Sequence, residues 1–417
     1  MSRESQNPPS PILVVGSYVP GSGFSRVMSH VIAGIQSVYT VHYFGIDHDG
    51  PPHLDCGVQV HPGGGTPADP HGLQKLHDLV TAVRPCLVFI LHDLRFQARY
   101  LSALEPFLGE LKVMTYIPLD GEILSWRELH PLRLVDHCVF YTRQGRQGVG
   151  RFLAEWQENE GPARAPAFTI IPHGVDTSTF HPWPGSVEDH FIGDGRLRAK
   201  QAVFPEERDL ADSFIVLNAN RPTLRKRIDL TLAGFARFAH GKPANVKLYL
   251  HHTKMKPWLQ AQVLEAAAQL GIHDRLLVNP IVDGKSEVDD GRLNLIYNAC
   301  DVGVNTSMGE GWGLVSFEHA ATGAPQIVPR HTACAELWEG AAAFLEPVAT
   351  VKPWFSPYGM YAVSPDELAE KLEELYQDRA RRRELALAGY RRATEPQYQW
   401  PRISQQWTDL FCDELAA

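Results

Sequence analysis

One pattern recurs along most of this chain. A short run of β-branched and aromatic residues ends in a turn, and an amphipathic stretch follows. "PILVVG" precedes a helical pattern from about Gly23 to Ile35, and "YTVHYFG" comes next. Strands separated by helical segments cannot form tight hairpins. They need crossover connections, and so a parallel sheet with helices on both faces. The runs "CLVFIL", "LKVMTYI", "HCVFYT" and "FTIIP" complete one doubly wound sheet. From about 181 to 212 the pattern lapses into "HPWPGSVEDHFIGDG" and charged residues, then resumes with "FIVLNAN", "VKLYLHH", "RLLVNP", "DVGVN" and "QIVP". The expected architecture is α/β with two Rossmann-like halves: a first domain over 1–185, a linker over 186–212 and a second domain over 213–397. A length of 417 residues with 44% hydrophobic content suffices for two cores.

Composition excludes several classes. The net charge is −9 with Lys and Arg scattered, so nothing attracts nucleic acid or an anionic membrane through bulk charge. The six cysteines form no Cys-x-x-Cys pair and several lie in apolar runs, which reads as buried free thiols in a reducing compartment. The start, "MSRESQNPPSP", lacks the apolar stretch of a signal peptide, and no later run reaches membrane-spanning length. A cytoplasmic protein is expected.

Each half carries a candidate phosphate site. In the first, "VVGSYVPGSGFSRV" runs strand, glycine loop, helix. A P-loop needs Lys where Ser22 stands, and a dinucleotide fingerprint needs Gly where Arg26 stands, so neither motif is met. A tight turn without a ligand has about even standing with some other phosphate contact. In the second half, "NANRPTLRKRIDL" gathers Arg221, Arg225, Lys226 and Arg227 just before a helix. Cations at a helix start oppose the macrodipole, and an anionic ligand at the strand's carboxyl end reconciles them. After "DVGVN", the loop "TSMGEGWG" feeds "LVSFEHAA". Its glycines let backbone N–H groups approach a ligand. Glu310 lies in the loop and Glu318 about two turns into the helix, where paired acceptors suit sugar hydroxyls.

The Glu, seven residues, Glu arrangement, with "NRPTLRKRID" before it and "IPHGVDTSTFHP" earlier, resembles the retaining glycosyltransferases of family 4 across nearly the whole chain. The resemblance implies the GT-B fold: two Rossmann-like domains facing a cleft, a nucleotide-sugar donor on the C-terminal domain, and a segment from about 398 to 417 crossing back onto the N-terminal domain. It assigns Arg221 and Lys226 to the donor diphosphate, Glu310 to the donor hexose, and Gly311, Trp312, Gly313 and Leu314 to backbone running along sugar and phosphate. Glu318 is assigned to the ribose. Gly23 matches one glycine of the family's first loop, with Ser22 in place of its partner. The cleft histidine of many relatives is missing from "TYIPLDGE", where Asp120 is the nearest polar residue; His92 ends the neighbouring strand. Either could touch sugar or acceptor, while His92 could equally be satisfied by local backbone and Asp120 could be a turn residue.

The resemblance further implies same-face substitution. The departing phosphate oxygen takes the acceptor's proton while Arg221 and Lys226 stabilise the developing charge. No cofactor and no metal are expected. Asp47-His48-Asp49 spells the Asp-x-Asp of metal-dependent transferases, but it sits in a loop without the matching donor elements, and His53 and His61 lack ligand spacing. His173 reads as a turn residue and the aromatic stretch 352–361 as packing or loop cover. The base is expected near "VNPIVDG". The acceptor is expected to be a small molecule or glycan, contacted by 47–70 and 92–97, with no nucleic acid and no integral membrane segment. An epimerase or hydrolase on the same scaffold, or a non-catalytic sugar-nucleotide sensor, are the competing readings.

Overall fold

The computed structural model describes residues 11–19, 21–160, 165–192, 194–204, 210–252, 257–278 and 288–416. It divides into two compact units, Met1–Gly174 with Trp400–Ala417, and Val175–Gln399.

The first unit is built on eight strands: β1 (Pro11–Ser17), β2 (Thr40–Ile46), β3 (His53–Asp55), β4 (Val58–Pro62), β5 (Leu87–Leu91), β6 (Lys112–Ile117), β7 (His137–Phe140) and β8 (Ala167–Ile170). Their order is β3-β4-β2-β1-β5-β6-β7-β8, parallel except for β3. The chain leaves β1 to one side for β2 and later returns to its other side for β5. The carboxyl ends of β1 and β5 therefore flank a topological switch point, where sheets of this kind bind ligands. The helix Gly23–Ile35 buries Val27, Met28, Val31, Ile32 and Ile35, a single 3.6-period stripe.

The helix Trp400–Ala416 completes this unit by burying Trp400, Ile403, Trp407 and Phe411. Trp407 and Phe411 lie 5.1 and 5.5 Å from the ring of Phe89 in β5, and Trp400 stacks on His30 at 4.1 Å. The two helices touch backbone to backbone at Gly34, where a Cβ would sit 2.9 Å from the carbonyl oxygen of Ser404. Thr408 Oγ1 donates to the Gly34 carbonyl at 2.8 Å.

The second unit holds a parallel sheet of β9 (Phe214–Asn218), β10 (Val246–Leu250), β11 (Leu276–Val278), β12 (Val302–Val304), β13 (Gln326–Pro329) and β14 (Ala343–Leu345), in the order β11-β10-β9-β12-β13-β14. Its switch point lies between β9 and β12. A hairpin, β15 (Pro347–Val351) and β16 (Met360–Val363), follows. Phe235, Phe238, Leu248, Leu250, Leu368 and Leu372 belong to the core on one face.

The division differs from the sequence expectation. It falls after Gly174 rather than at 185, and the described part of 186–212 is no free linker. The polar residues that gave it a linker's composition are buried ties to the second unit. Arg196 in the helix Gly195–Val203 donates to the carbonyls of Asn298 at 3.1 Å and Gly323 at 3.2 Å, and Lys200 pairs with Asp301 at 2.8 Å. Upstream, the backbone N–H groups of His181 and Trp183 are taken by the side chains of Asn294 and Asn298. The thiols also differ from expectation. None of the six forms a disulfide, but Cys56 and Cys412 are exposed and Cys86 is half-buried, leaving Cys138, Cys300 and Cys334 in the interior.

Candidate active site

At the switch point of the second unit, two loops leave adjacent strands in the same direction. The first follows β9 and carries the basic cluster. Thr223 leads into a single 3-10 turn, Leu224–Lys226, and Arg227 adopts the left-handed region at φ 47° before the helix Ile228–Ala239. Arg227 is held by its own neighbour, Asp229, at 2.7 Å. The second loop follows β12 and carries Glu310.

These loops are joined by charge. Glu310 is 3% exposed. Its carboxylate accepts from Lys226 Nζ, from Arg225 Nη1 at 3.4 Å and from Asn305 Nδ2 at 3.0 Å. Arg225 also donates to the Gly309 carbonyl. Burial by itself would raise the Glu310 pKa, but Lys226 and Arg225 outweigh it and bring it down to about 2, so the group is anionic. Burial lowers the pKa of Lys226, against the raising pull of Glu310. The backbone of Glu310 is fixed from the opposite side: its N–H donates to Thr332 Oγ1 at 3.0 Å and its carbonyl accepts from Ala333 N at 3.2 Å.

Arg221 differs from its neighbours. It is exposed, and among the described residues its side chain has no assigned partner. Of the two cations assigned to a diphosphate, one is therefore open to solvent and the other is held by Glu310.

Gly313, at φ 95°, turns the loop into the helix Leu314–Ala321. Glu318 is the fifth residue of that helix, little more than one turn in rather than the expected two. Glu318 is 5% exposed and accepts from the hydroxyl of Tyr297 at 3.2 Å. The indole of Trp312 faces inward, stacked on Phe317 at 5.0 Å and edge-on to Tyr398 at 5.5 Å. It anchors the glycine loop in the core. Asn305, Thr332 and Tyr297, which orient the two acids, were not singled out from the sequence. Only Asn305, ending the strand run "DVGVN", stood at a position that could have drawn notice.

In the first unit, Ser22 caps the helix that Gly23 begins. Its Oγ accepts from Ser25 N at 3.2 Å, while Ser25 Oγ donates to the Ser17 carbonyl at 2.6 Å and accepts from Val19 N at 2.9 Å. Side-chain hydroxyls thus take up N–H groups that a bound anion would otherwise meet. His92 lies across the switch point, with Phe24 at 5.5 Å and Phe96 at 4.8 Å. Its Nδ1 accepts from Asp93 N at 2.8 Å, which leaves Nε2 as the protonated nitrogen, and burial lowers its pKa to about 4. Asp120 follows β6, close enough to Tyr141 to add to the rise that burial gives that hydroxyl. His92 and Asp120 thus sit at the carboxyl ends of adjacent strands. His173, at the end of the first unit, is buried: it is 3% exposed and shares a hydrogen bond of 2.8 Å with the Tyr116 hydroxyl, against the ring of Tyr141 at 3.9 Å.

Asp47, at φ 65°, begins a turn in which His48 and His53 pack on Tyr18. Among the described residues no three His, Cys, Asp or Glu side chains gather as metal ligands. Loop cover is what the stretch 352–361 provides at its end, where Tyr361 N donates to the Met308 carbonyl at 2.9 Å and the Tyr361 ring stacks on His331. The stretch "VNPIVDG" lies outside the described residues from Asn279 onward.

The chain is similar to sucrose-phosphate synthase from Thermosynechococcus elongatus with a TM-score of 0.73 at 17% identity, covering 98% of this chain and 99% of that one. The chain has the GT-B fold. HepE from Anabaena, solved in complex with UDP-glucose, is similar to this GT-B chain with a TM-score of 0.69 at 15% identity, covering 97% and 100%. Trehalose 6-phosphate synthase from Burkholderia multivorans is similar at 0.67 and 14%, covering 98% and 97%. Residues 256–409 match the family model described as glycosyl transferase-like. A D-inositol 3-phosphate glycosyltransferase of Xylanimonas cellulosilytica is 30% identical over 159 residues, which span 38% of this chain and 34% of that relative's length.

Proposed function

We propose that this chain is a retaining glycosyltransferase that moves a sugar from a nucleoside-diphosphate sugar to a small-molecule or glycan acceptor, with neither a metal ion nor a cofactor. The observation that carries this reading is the Lys226–Glu310 contact, which brings a basic loop and an acidic glycine loop together at one switch point. Arg221 and Lys226 are the diphosphate's cations, Glu310 meets the hexose, and Glu318 the ribose. The bond from the anomeric carbon to the diphosphate oxygen breaks and a bond to the acceptor oxygen forms on the same face. The acceptor's proton passes to the departing oxygen. Cations held in place before the reaction stabilise the charge that develops there.

In this reading His92 and Asp120 serve the sugar or the acceptor. His92, neutral through its lowered pKa, offers its Nε2 proton to a sugar or acceptor oxygen. Gly23 contributes at most a backbone contact, since the hydroxyls of Ser22 and Ser25 close that loop. HepE was solved with UDP-glucose and the family model is a glycosyltransferase one, which supports a donor of this class. Cysteines that form no disulfide support a reducing, cytoplasmic setting, and among the described residues no helix is long and apolar enough to cross a membrane.

The test is to incubate the protein with UDP-, GDP- and ADP-sugars, with and without a cell-extract acceptor pool, and measure nucleoside diphosphate release. Release that depends on acceptor, with the anomeric configuration kept in the product, is expected. Release that is independent of acceptor, or isomerised donor, would replace this reading with a hydrolase or an epimerase.

A further inference from the structure

Glu310 and Lys226 hold each other across the two loops, and the glutamate has further ties of its own. The glutamate is fixed at its backbone by Thr332 and Ala333 and at its carboxylate by Asn305, all buried. Lys226 is a long side chain on a single 3-10 turn. Its ammonium cannot meet a diphosphate at full strength while it remains on the carboxylate. Arg221, exposed and with no assigned side-chain partner among the described residues, needs no such exchange.

We propose that Glu310 is a resting counter-charge that makes the site prefer the nucleotide sugar over the nucleoside diphosphate. This rests on the glycosyltransferase reading and deepens it. When a nucleotide sugar binds, Lys226 passes from Glu310 to the diphosphate, and the hydroxyls of the hexose replace Lys226 as donors to the carboxylate. A nucleoside diphosphate brings no such hydroxyls. It takes Lys226 and leaves Glu310 charged, buried and short of a donor beside another anion, which costs free energy. The product is therefore bound less well than the substrate, and Lys226 returns to Glu310 as the product departs.

The substitution that tests this is Glu310→Gln, which keeps the side chain's size and its acceptor for Asn305 but removes the charge. Dissociation constants are measured by calorimetry for inorganic pyrophosphate and for the pairs UDP and UDP-glucose, GDP and GDP-mannose, ADP and ADP-glucose. The expected result is that Glu310→Gln binds pyrophosphate and the cognate nucleoside diphosphate about 10-fold more tightly, a change of about 1.4 kcal/mol. The nucleotide sugar should gain nothing, so the preference for it falls. In a Lys226→Ala background the gain should shrink, since the cation whose release produced it is gone. Thermal midpoints establish that both variants are folded, and Glu310→Ala, which also removes the charge, repeats the test if Glu310→Gln is not.

Weaker or unchanged diphosphate binding in the folded Glu310→Gln protein would overturn the counter-charge, while tight binding by the wild type would leave the glycosyltransferase reading in place. A gain of full size without Lys226 would overturn the exchange. A wild-type protein that binds none of the six nucleotides would instead sink the glycosyltransferase reading itself.

Discussion

Thr332 accepts the backbone N–H of Glu310 through Oγ1 at 3.0 Å, from a backbone held at φ 45°. A β-branched residue rarely occupies that left-handed region, and strain of this kind persists where the surrounding structure imposes it. Here the residue's hydroxyl fixes the position of the acid that meets the basic loop.

Thr332→Val keeps the β-branched shape and the strained backbone and removes only the hydroxyl. It should lower stability by about 1–3 kcal/mol, because the Glu310 N–H is left buried without an acceptor. Turnover should fall as well. Urea denaturation and steady-state assays check both; a loss of turnover without a loss of stability would place Thr332 in contact with substrate.

Glu318 lies on the helix rather than in the glycine loop, and Tyr297 already donates to it. If it holds the ribose through a charge-assisted hydrogen bond of about 1.5–3 kcal/mol, Glu318→Ala should weaken nucleoside diphosphate binding by about 10-fold to 100-fold. The loss should appear with or without the hexose. Calorimetry of the diphosphate into wild type and variant decides it, and an unchanged affinity would remove Glu318 from the donor site.

In the proposed reading Arg221 and Lys226 do for the diphosphate what a divalent ion does in a metal-dependent enzyme. Activity should therefore survive dialysis against a chelator. Loss of activity restored by manganese or magnesium would reopen Asp47 and Asp49 as ligands.

Burial lowers the pKa of His92, His251, His252 and His331 to about 4 and of His173 to about 3. In the unfolded chain these groups take up protons near their usual value of about 6.5. Between that pH and about 4 the unfolded state binds more protons than the folded one, so stability falls as the pH is lowered through this window. Below the folded values the penalty is fully present, and above about 7 it is absent. Thermal midpoints measured from pH 7.5 down to 4.5 should decline, and less steeply in His173→Gln. A flat profile would mean that the rings take up protons in the folded protein over the same pH range as in the unfolded chain.

The sequence by itself determined the local elements and the residue types at the strand ends. β-branched runs become strands wherever they lie. The run "LVSFEHAA" became the helix Leu314–Ala321, and Gly313 supplied the left-handed turn that only its lack of a Cβ makes easy. The placement of cations before a helix was also legible, because it conflicts with the helix's own dipole. Tertiary structure decided what was paired with what. Lys226 and Glu310 are 84 positions apart, and their contact depends on β9 and β12 becoming neighbours. Arg196 and Lys200 read as the charges of a linker, and became buried ties only because Asp301 and the carbonyls around it lay beneath them. Ser22 read as a defect in a glycine loop until Ser25 and the Ser17 carbonyl showed it to be a cap. Secondary structure follows from short-range sterics and the alternation of apolar residues. The partner of a charged side chain is fixed by strand order, which is set by contacts between distant parts of the chain.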